Sequence, residues 1–389
     1  MLKITKVETF RLEPPQPKTR TAPRRVGQNK LSNRAYPIHF YPEFPRVHGN
    51  IPGEPSPEIW VKITAEDGSF GLGSCKWGQV VDPLIHSHYA PLLIGRDALS
   101  TEFLHDLMWR SSMRFGAHGL SAIARSAIDL ALWDIKGKAL GVPVYSLLGG
   151  PAREAIDIYV TGDDLDYSME LGFKRFKLSN TVHYREGTEG INRLEERVAK
   201  AREIVGPDAD LMINPVMSFN VEYAIRVMER LKPYHLRWFE EPLIPQDVSG
   251  LAQLKRAVPG VPIATGEDHH CRQDFLDMIR DRSVDILQPD IRFCGGLTEV
   301  LRIYTLGEAA GIQTIPHAGS HDMFGLHFAL AMPESPIAEY WMGADPGVPL
   351  EEMVRYPGTP YPQNGQIRLS DEPGFGFDEL AGHLVAWTN

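Results

Sequence analysis

The chain has 389 residues, of which 43% are apolar before its 35 glycines are counted and 23% are charged; that balance excludes a disordered chain and supplies a large core. Forty Lys and Arg against fifty Asp and Glu leave a net charge of −10, which argues against nucleic-acid binding through the overall field. No run approaches the roughly 18 apolar residues of a membrane span, the first residues lack the apolar stretch of a signal peptide, and Cys75, Cys271 and Cys294 are too scattered for a disulfide framework or a zinc site, so a soluble, cytoplasmic protein is expected.

Leu2 to Leu12 alternates loosely and reads as a strand. Residues 13–57 then carry ten of the 31 prolines, six basic residues from Lys18 to Arg34, and no acid between Glu13 and Glu43. A segment that long without regular structure is either disordered or functional. Glu58–Cys75 reads as a β-hairpin turning at Asp67-Gly68, and the pattern is helical from Val81 to Gly116. A long helix is expected from Leu120 to Leu140, stopped by Gly141 and Pro143.

From there short apolar runs alternate with amphipathic stretches. Strands are expected at 156–160, 173–178, 210–214, 236–240, 262–265, 284–288, 312–316 and 336–340, and a helix at 190–205 lines up Ile191, Leu194, Val198, Ala201 and Val205. Eight strands separated by helices predict a (β/α)₈, TIM-type barrel. The boundaries expected are an α+β N-terminal unit over 1–125, the barrel over 126–344, and a tail over 345–389 that returns to the N-terminal unit.

Barrel chemistry sits where the strands end. Those positions read Thr161-Gly162-Asp163, Lys177, Asn214, Glu240-Glu241, Glu267, Asp290, His317 and Glu339, and from Lys177 onward their spacings are about one βα unit. Asn214, Glu240 and Glu267 from three adjacent strands suit a hard cation such as Mg²⁺, although any one carboxylate after a strand can be a mere helix cap. Glu241 is expected to be a cap or ion-pair partner, because neighbours on a strand point to opposite faces.

Asp290 beside His317 would orient the imidazole as a general base; a structural histidine is the bland alternative. Glu339, if protonated, could donate a hydrogen bond. Lys177 could hold an anion or be solvated, and of His269 and His270 one could reach substrate while the other packs. His39 and Arg46 are the candidates within the basic arm, expected to cover an anionic small substrate. A cation facing an Asp-paired histidine can remove the proton α to a carboxylate, followed by loss of a β-hydroxyl or by epimerisation. A glycosidase barrel would pair carboxylates but does not predict this dyad.

At these residues the sequence resembles the mandelate-racemase branch of the enolase superfamily, and within it the acid-sugar dehydratases of the L-rhamnonate type. The likeness is carried by residues 119–150, WFEEPLIPQD (238–247), TGEDHH (265–270), QPDIRFCGG (288–296), IPHAGS (315–320), AEYWMG (338–343) and 364–377. It implies a capping domain over a (β/α)₇β barrel, Mg²⁺, dehydration of a small sugar acid to a 2-keto-3-deoxy product, and a homo-oligomer without nucleic-acid or membrane partners. It also implies Glu240 and Glu267 as metal ligands, Asp290–His317 as the dyad, and Glu339 near the substrate carboxylate.

Three departures stand out. Asn214 replaces an aspartate ligand, so a non-catalytic sugar-acid-binding relative stays open beside the dehydratase. Lys177-Leu178-Ser179 replaces Lys-x-Lys, which disfavours two-base racemisation. Gly-Glu-Asp-His-His replaces Gly-Glu-His-His, which leaves the histidine register open.

Overall fold

A computed structural model describes residues 1–13, 21–28, 34–44, 58–320, 323–354 and 358–387. Strands β1 (Ile4–Leu12), β2 (Ile59–Ala65) and β3 (Phe70–Cys75) form an antiparallel sheet, as the alternation predicts. At the expected turn Asp67 accepts the Ser69 N–H. The helical zone that follows is broken rather than continuous: Gly78–Leu84, a π-turn over Ile85–Tyr89, Ala90–Leu93, then Thr101–Ser112. Pro83 and Pro91 withhold two amide donors there, and Gly95 takes φ +80°.

The helix Leu120–Leu140 matches its expected limits, and Gly141 closes it in the left-handed conformation. Buried over most of its length, it is the shared wall between the small sheet and the barrel. Glycines make that contact possible, since a Cβ at Gly71 would lie 2.1 Å from the Ala131 carbonyl oxygen and one at Gly73 2.2 Å from that of Ala127. The same helix buries Asp134, whose carboxylate accepts the N–H groups of Leu72 and Phe375 and pairs with Lys138 at 2.8 Å. One side chain thus ties the hairpin, the helix and the C-terminal segment together.

The barrel strands are β4 (Ile156–Thr161), β5 (Arg175–Ser179), β6 (Asp210–Asn214), β7 (Trp238–Glu240), β8 (Ile263–Thr265), β9 (Ile286–Leu287), β10 (Gln313–Thr314) and β11 (Ile337–Trp341). They pair in parallel in the order β10-β9-β8-β7-β6-β5-β4-β11. At the seam between the outer two, the Ser320 N–H reaches the Glu339 carbonyl. This is the expected barrel. Several strands are shorter than their apolar runs, because Pro262, Pro289 and Pro316 withhold ladder donors at the ends. Of the tail, β12 (Gln366–Ile367) pairs with β4 and β13 (Leu384–Ala386) with β1, so it returns to both units. Among the described residues no helix is long and apolar enough to cross a membrane.

Inside the barrel Tyr159, Met212, Trp238, Ala264, Ile286, Ile315 and Ile337 pack into one apolar layer. Side chains on a strand repeat every two residues, so the layer above is Thr161, Asn214, Glu240, Gly266, Gln288, His317 and Glu339. The floor of the polar site is set by that count. Gly73→Ala should force the hairpin off the long helix and cost about 1–3 kcal/mol or more of stability, read from the urea midpoint; an unchanged midpoint would contradict this packing.

Candidate active site

His317 Nδ1 lies 2.9 Å from Asp290 Oδ2. The carboxylate can only accept, so Nδ1 carries the proton and Nε2 faces the mouth. Nε2 is 3.7 Å from Glu267 and 4.0 Å from Glu339. Burial disfavours the imidazolium, but Glu267, Asp290 and Glu339 outweigh it and push His317 up to about 10. Burial likewise opposes charge on Asp290, yet the bond from His317 and that from the Arg292 N–H hold its carboxyl below the usual range. The dyad anticipated from the strand ends is therefore assembled.

Beneath it Lys177 is buried and paired with Glu240 and, at 2.8 Å, with Glu339. It comes from the lower layer, opposite Met212 in the ladder, and reaches upward. Burial works against its charge, and the surrounding carboxylates reverse that and raise it. A solvated lysine is thus ruled out: this ammonium is a counter-ion within the ring. Glu339 also accepts from Thr161 and from the Ala318 N–H, so its carboxylate is an acceptor here.

Glu240 accepts from Lys177, from Asn214 Nδ2 at 2.8 Å, and from Trp238 Nε1 and Gln288 Nε2 at 2.9 Å each. Asn214 gives its own carbonyl oxygen to the Val216 N–H at 2.6 Å. The structure brings these two side chains together, with the Asn214 amide hydrogens directed at Glu240.

Glu267 meets a different pair. Oxygens of Glu241, Glu267 and Asp268 lie within 4.8 Å of one another. Gly266, at φ +142°, lets β8 end against the Gln288 backbone, where a Cβ would sit at 3.0 Å. Glu241 departs from its expected role as cap or ion-pair partner. The alternation argument stops at Glu240, because Glu241 takes φ +43° and leaves the strand. Its carboxylate is buried and neither oxygen has a hydrogen-bond partner. Burial, then Glu267 and Asp268, raise its pKa well above the carboxylate range. Glu267 and Asp268 are raised as well, chiefly by burial, with His317 opposing. The Glu-Glu doublet and the acid after Glu267 were the available signals for this cluster.

The remaining candidates sit apart. His269 is buried and donates from Nε2 to the Pro245 carbonyl at 2.9 Å. His270 precedes the helix Cys271–Arg280, beside His118 and Asp274, and burial lowers it to about 4. Both histidines pack, so the expectation that one reaches substrate has no support in their bonding. His39 accepts the Tyr36 N–H in a short turn of the arm, and Arg46 lies outside the described residues. The arm itself is laid on the mouth: Arg24 pairs with Glu170, Arg25 with Asp164 and Asp166, Gly27 N–H with Asp345, and Ala35 N–H with the Asn180 carbonyl.

Known proteins bear on this geometry. The model of the mandelate racemase / muconate lactonizing enzyme N-terminal domain matches residues 55–149, and the enolase C-terminal domain-like model matches 163–379. An L-rhamnonate dehydratase of Saccharopolyspora erythraea is 36% identical over 346 residues, 88% of each chain. A crystal structure of L-rhamnonate dehydratase from Gibberella zeae is 30% identical with TM-score 0.87, covering 99% of this chain and 96% of that one. A second from the same organism, complexed with Mg, has the same identity and TM-score and covers 99% and 97%.

Asp290→Asn keeps the hydrogen-bonding shape but removes a charge. His317 should then titrate below its parent value in histidine ring NMR of the metal-free protein; an unchanged titration would show that Asp290 does not govern the imidazole.

Proposed function

The chain belongs to the mandelate racemase / muconate lactonizing enzyme family of the enolase superfamily, and we propose that it is a Mg²⁺-dependent hydro-lyase that converts L-rhamnonate, or a close acid sugar, to its 2-keto-3-deoxy product. The observation that carries this reading is the His317–Asp290 pair with Nε2 directed at a mouth lined by carboxylates.

The donors present fit a hard cation. They are oxygens only, and Glu241 has two buried carboxylate oxygens without a hydrogen-bond partner. Asn214 and Glu240 are bonded to each other, and Glu267 clusters with Glu241 and Asp268. Mg²⁺, when bound, supplies positive charge against the substrate carboxylate as the α-proton leaves.

The chain's own residues do the rest. Asp290 holds the His317 ring; the carboxylates that keep the imidazole protonated in the metal-free site would be offset by the cation, leaving Nε2 to take the α-proton. The C–O bond at the neighbouring carbon then breaks, His317 returns the proton to the departing hydroxyl, water leaves, and the enol relaxes to the ketone. Lys177 offsets Glu240 and Glu339 below the reacting carbon. Position 179 is a serine bonded to Asp163 rather than a second lysine base, which favours elimination over epimerisation. Arg24 and Arg25 are spent on ion pairs, whereas Arg34 has two buried guanidinium nitrogens with no hydrogen-bond partner among the described residues.

The three cysteines are buried and unpaired, in keeping with a reducing compartment, and we place the reaction in the cytoplasm. A homo-oligomer remains part of the proposal through the family.

Screening aldonic and aldaric acids with Mg²⁺ for α-keto acid formation tests the reading. L-rhamnonate or a near relative should react, EDTA should stop the reaction and added Mg²⁺ restore it. His317→Asn should lower kcat by about 10² to 10⁴. Turnover at the parent rate in that variant would refute the assignment of the base.

A further inference from the structure

Arg125 is 0% exposed on the helix Leu120–Leu140, the wall shared by the small sheet and the barrel. Its Nε and Nη1 have no hydrogen-bond partner among the described residues, and Nη2 meets a sulfur, Cys271 Sγ, at 3.3 Å. A guanidinium keeps its charge in proteins, and a buried charge left without acceptors is costly. The thiol gives little relief. Burial, against the pull of Arg125, pushes Cys271 up to about 11, so it carries no charge near neutral pH.

The acids around it are engaged elsewhere. Asp129, one turn further along, accepts the Thr298 N–H and stands 3.5 Å from His105. Glu299 accepts from His105 and from Arg272. Asp274 accepts the His270 N–H and lies 3.4 Å from His118.

Side chains on a helix lean toward its N-terminus, and Arg125 does so. The sulfur it reaches also contacts the Ala117 carbonyl oxygen at 3.5 Å, two residues before the N-cap, Gly119. No side chain caps that end, so its first N–H groups lack intrahelical acceptors and the helix dipole adds partial positive charge. An unpaired buried guanidinium and the uncapped start of a 21-residue helix therefore call for negative charge at one place. The amount called for is one unit. His118 is answered by Asp274, and burial lowers His270 to about 4 and leaves it neutral, so a dianion would leave surplus charge buried.

We propose that the seam between the N-terminal unit and the barrel binds one monovalent anion of the halide class, with Arg125 Nε and Nη1 and the first turn of the helix Leu120–Leu140 as its donors. The site uses none of the residues given to the dyad or to the cation, and it stands apart from the acid-sugar reading. Its occupant joins the long helix to the helix Cys271–Arg280, which follows the loop carrying Glu267 and Asp268.

Melting of the full chain with EDTA, in methanesulfonate exchanged for chloride at constant ionic strength, tests this without turnover. Chloride and bromide should raise the midpoint along a saturable curve by about 2 °C or more, and Arg125→Met should lose that dependence. Should Arg125→Met fail to fold, chloride-35 NMR of the parent carries the test: line broadening beyond that of free chloride is expected, removed by excess bromide. No halide dependence in the parent, the same dependence in folded Arg125→Met, or no excess broadening would overturn the site. Thiolate absorbance near neutral pH that vanishes in Cys271→Ser would also overturn it, because the cysteine would then supply the charge.

Discussion

The constraint on which the rest depends is the crowding of negative charge at the barrel mouth. Glu240, Glu241, Glu267, Asp268, Asp290 and Glu339 converge there, and all but Glu267 and Asp268 are buried. Like charges this close cannot all stay ionised in a poorly solvated site without positive charge among them. Lys177 answers two of them from below and His317 leans on three from the side. Glu241, beside Glu267 and Asp268, is left with neither carboxylate oxygen bonded to a donor among the described residues. A site with that imbalance is prepared for a cation, and for a substrate whose own charge is tolerable only once the cation is present.

The fold supplies this crowding by simple arithmetic. One apolar residue on each strand but β5 closes the barrel, and two residues later most of these strands deliver a polar group to the mouth. Trp238 and Glu240 show the relation within one strand: the indole packs in the floor and its N–H supports the carboxylate above. The buried helix Leu120–Leu140 fixes the small sheet against the barrel, and Arg25 of the arm is tied to Asp164 and Asp166 after β4.

Much of this was legible in the sequence. The period of two and the βα spacing located the strands, and with them Asp290, His317 and Glu339, because those residues obey the regular count. What the sequence concealed lies where the count breaks. Glu241 follows a strand, but a positive φ turns it inward. At Asn214 no local pattern encodes the turn in which its carbonyl oxygen accepts the Val216 N–H. Lys177 looked accessible because its Cα lies one layer lower than its ammonium. His269 and His270 followed an acidic residue in the motif, but a backbone carbonyl and a helix start claim them. Such outcomes depend on tertiary partners that no local pattern encodes.

The central claim is that one imidazole, posed by Asp290, removes the α-proton of an acid sugar, with no second base. The most direct measurement follows a 3-deoxy acid sugar, which has no hydroxyl to expel, by proton NMR in D₂O with Mg²⁺. The account predicts that the α-proton signal disappears while the configuration at that carbon is kept. Persistence of the signal, or growth of the other epimer, would contradict it.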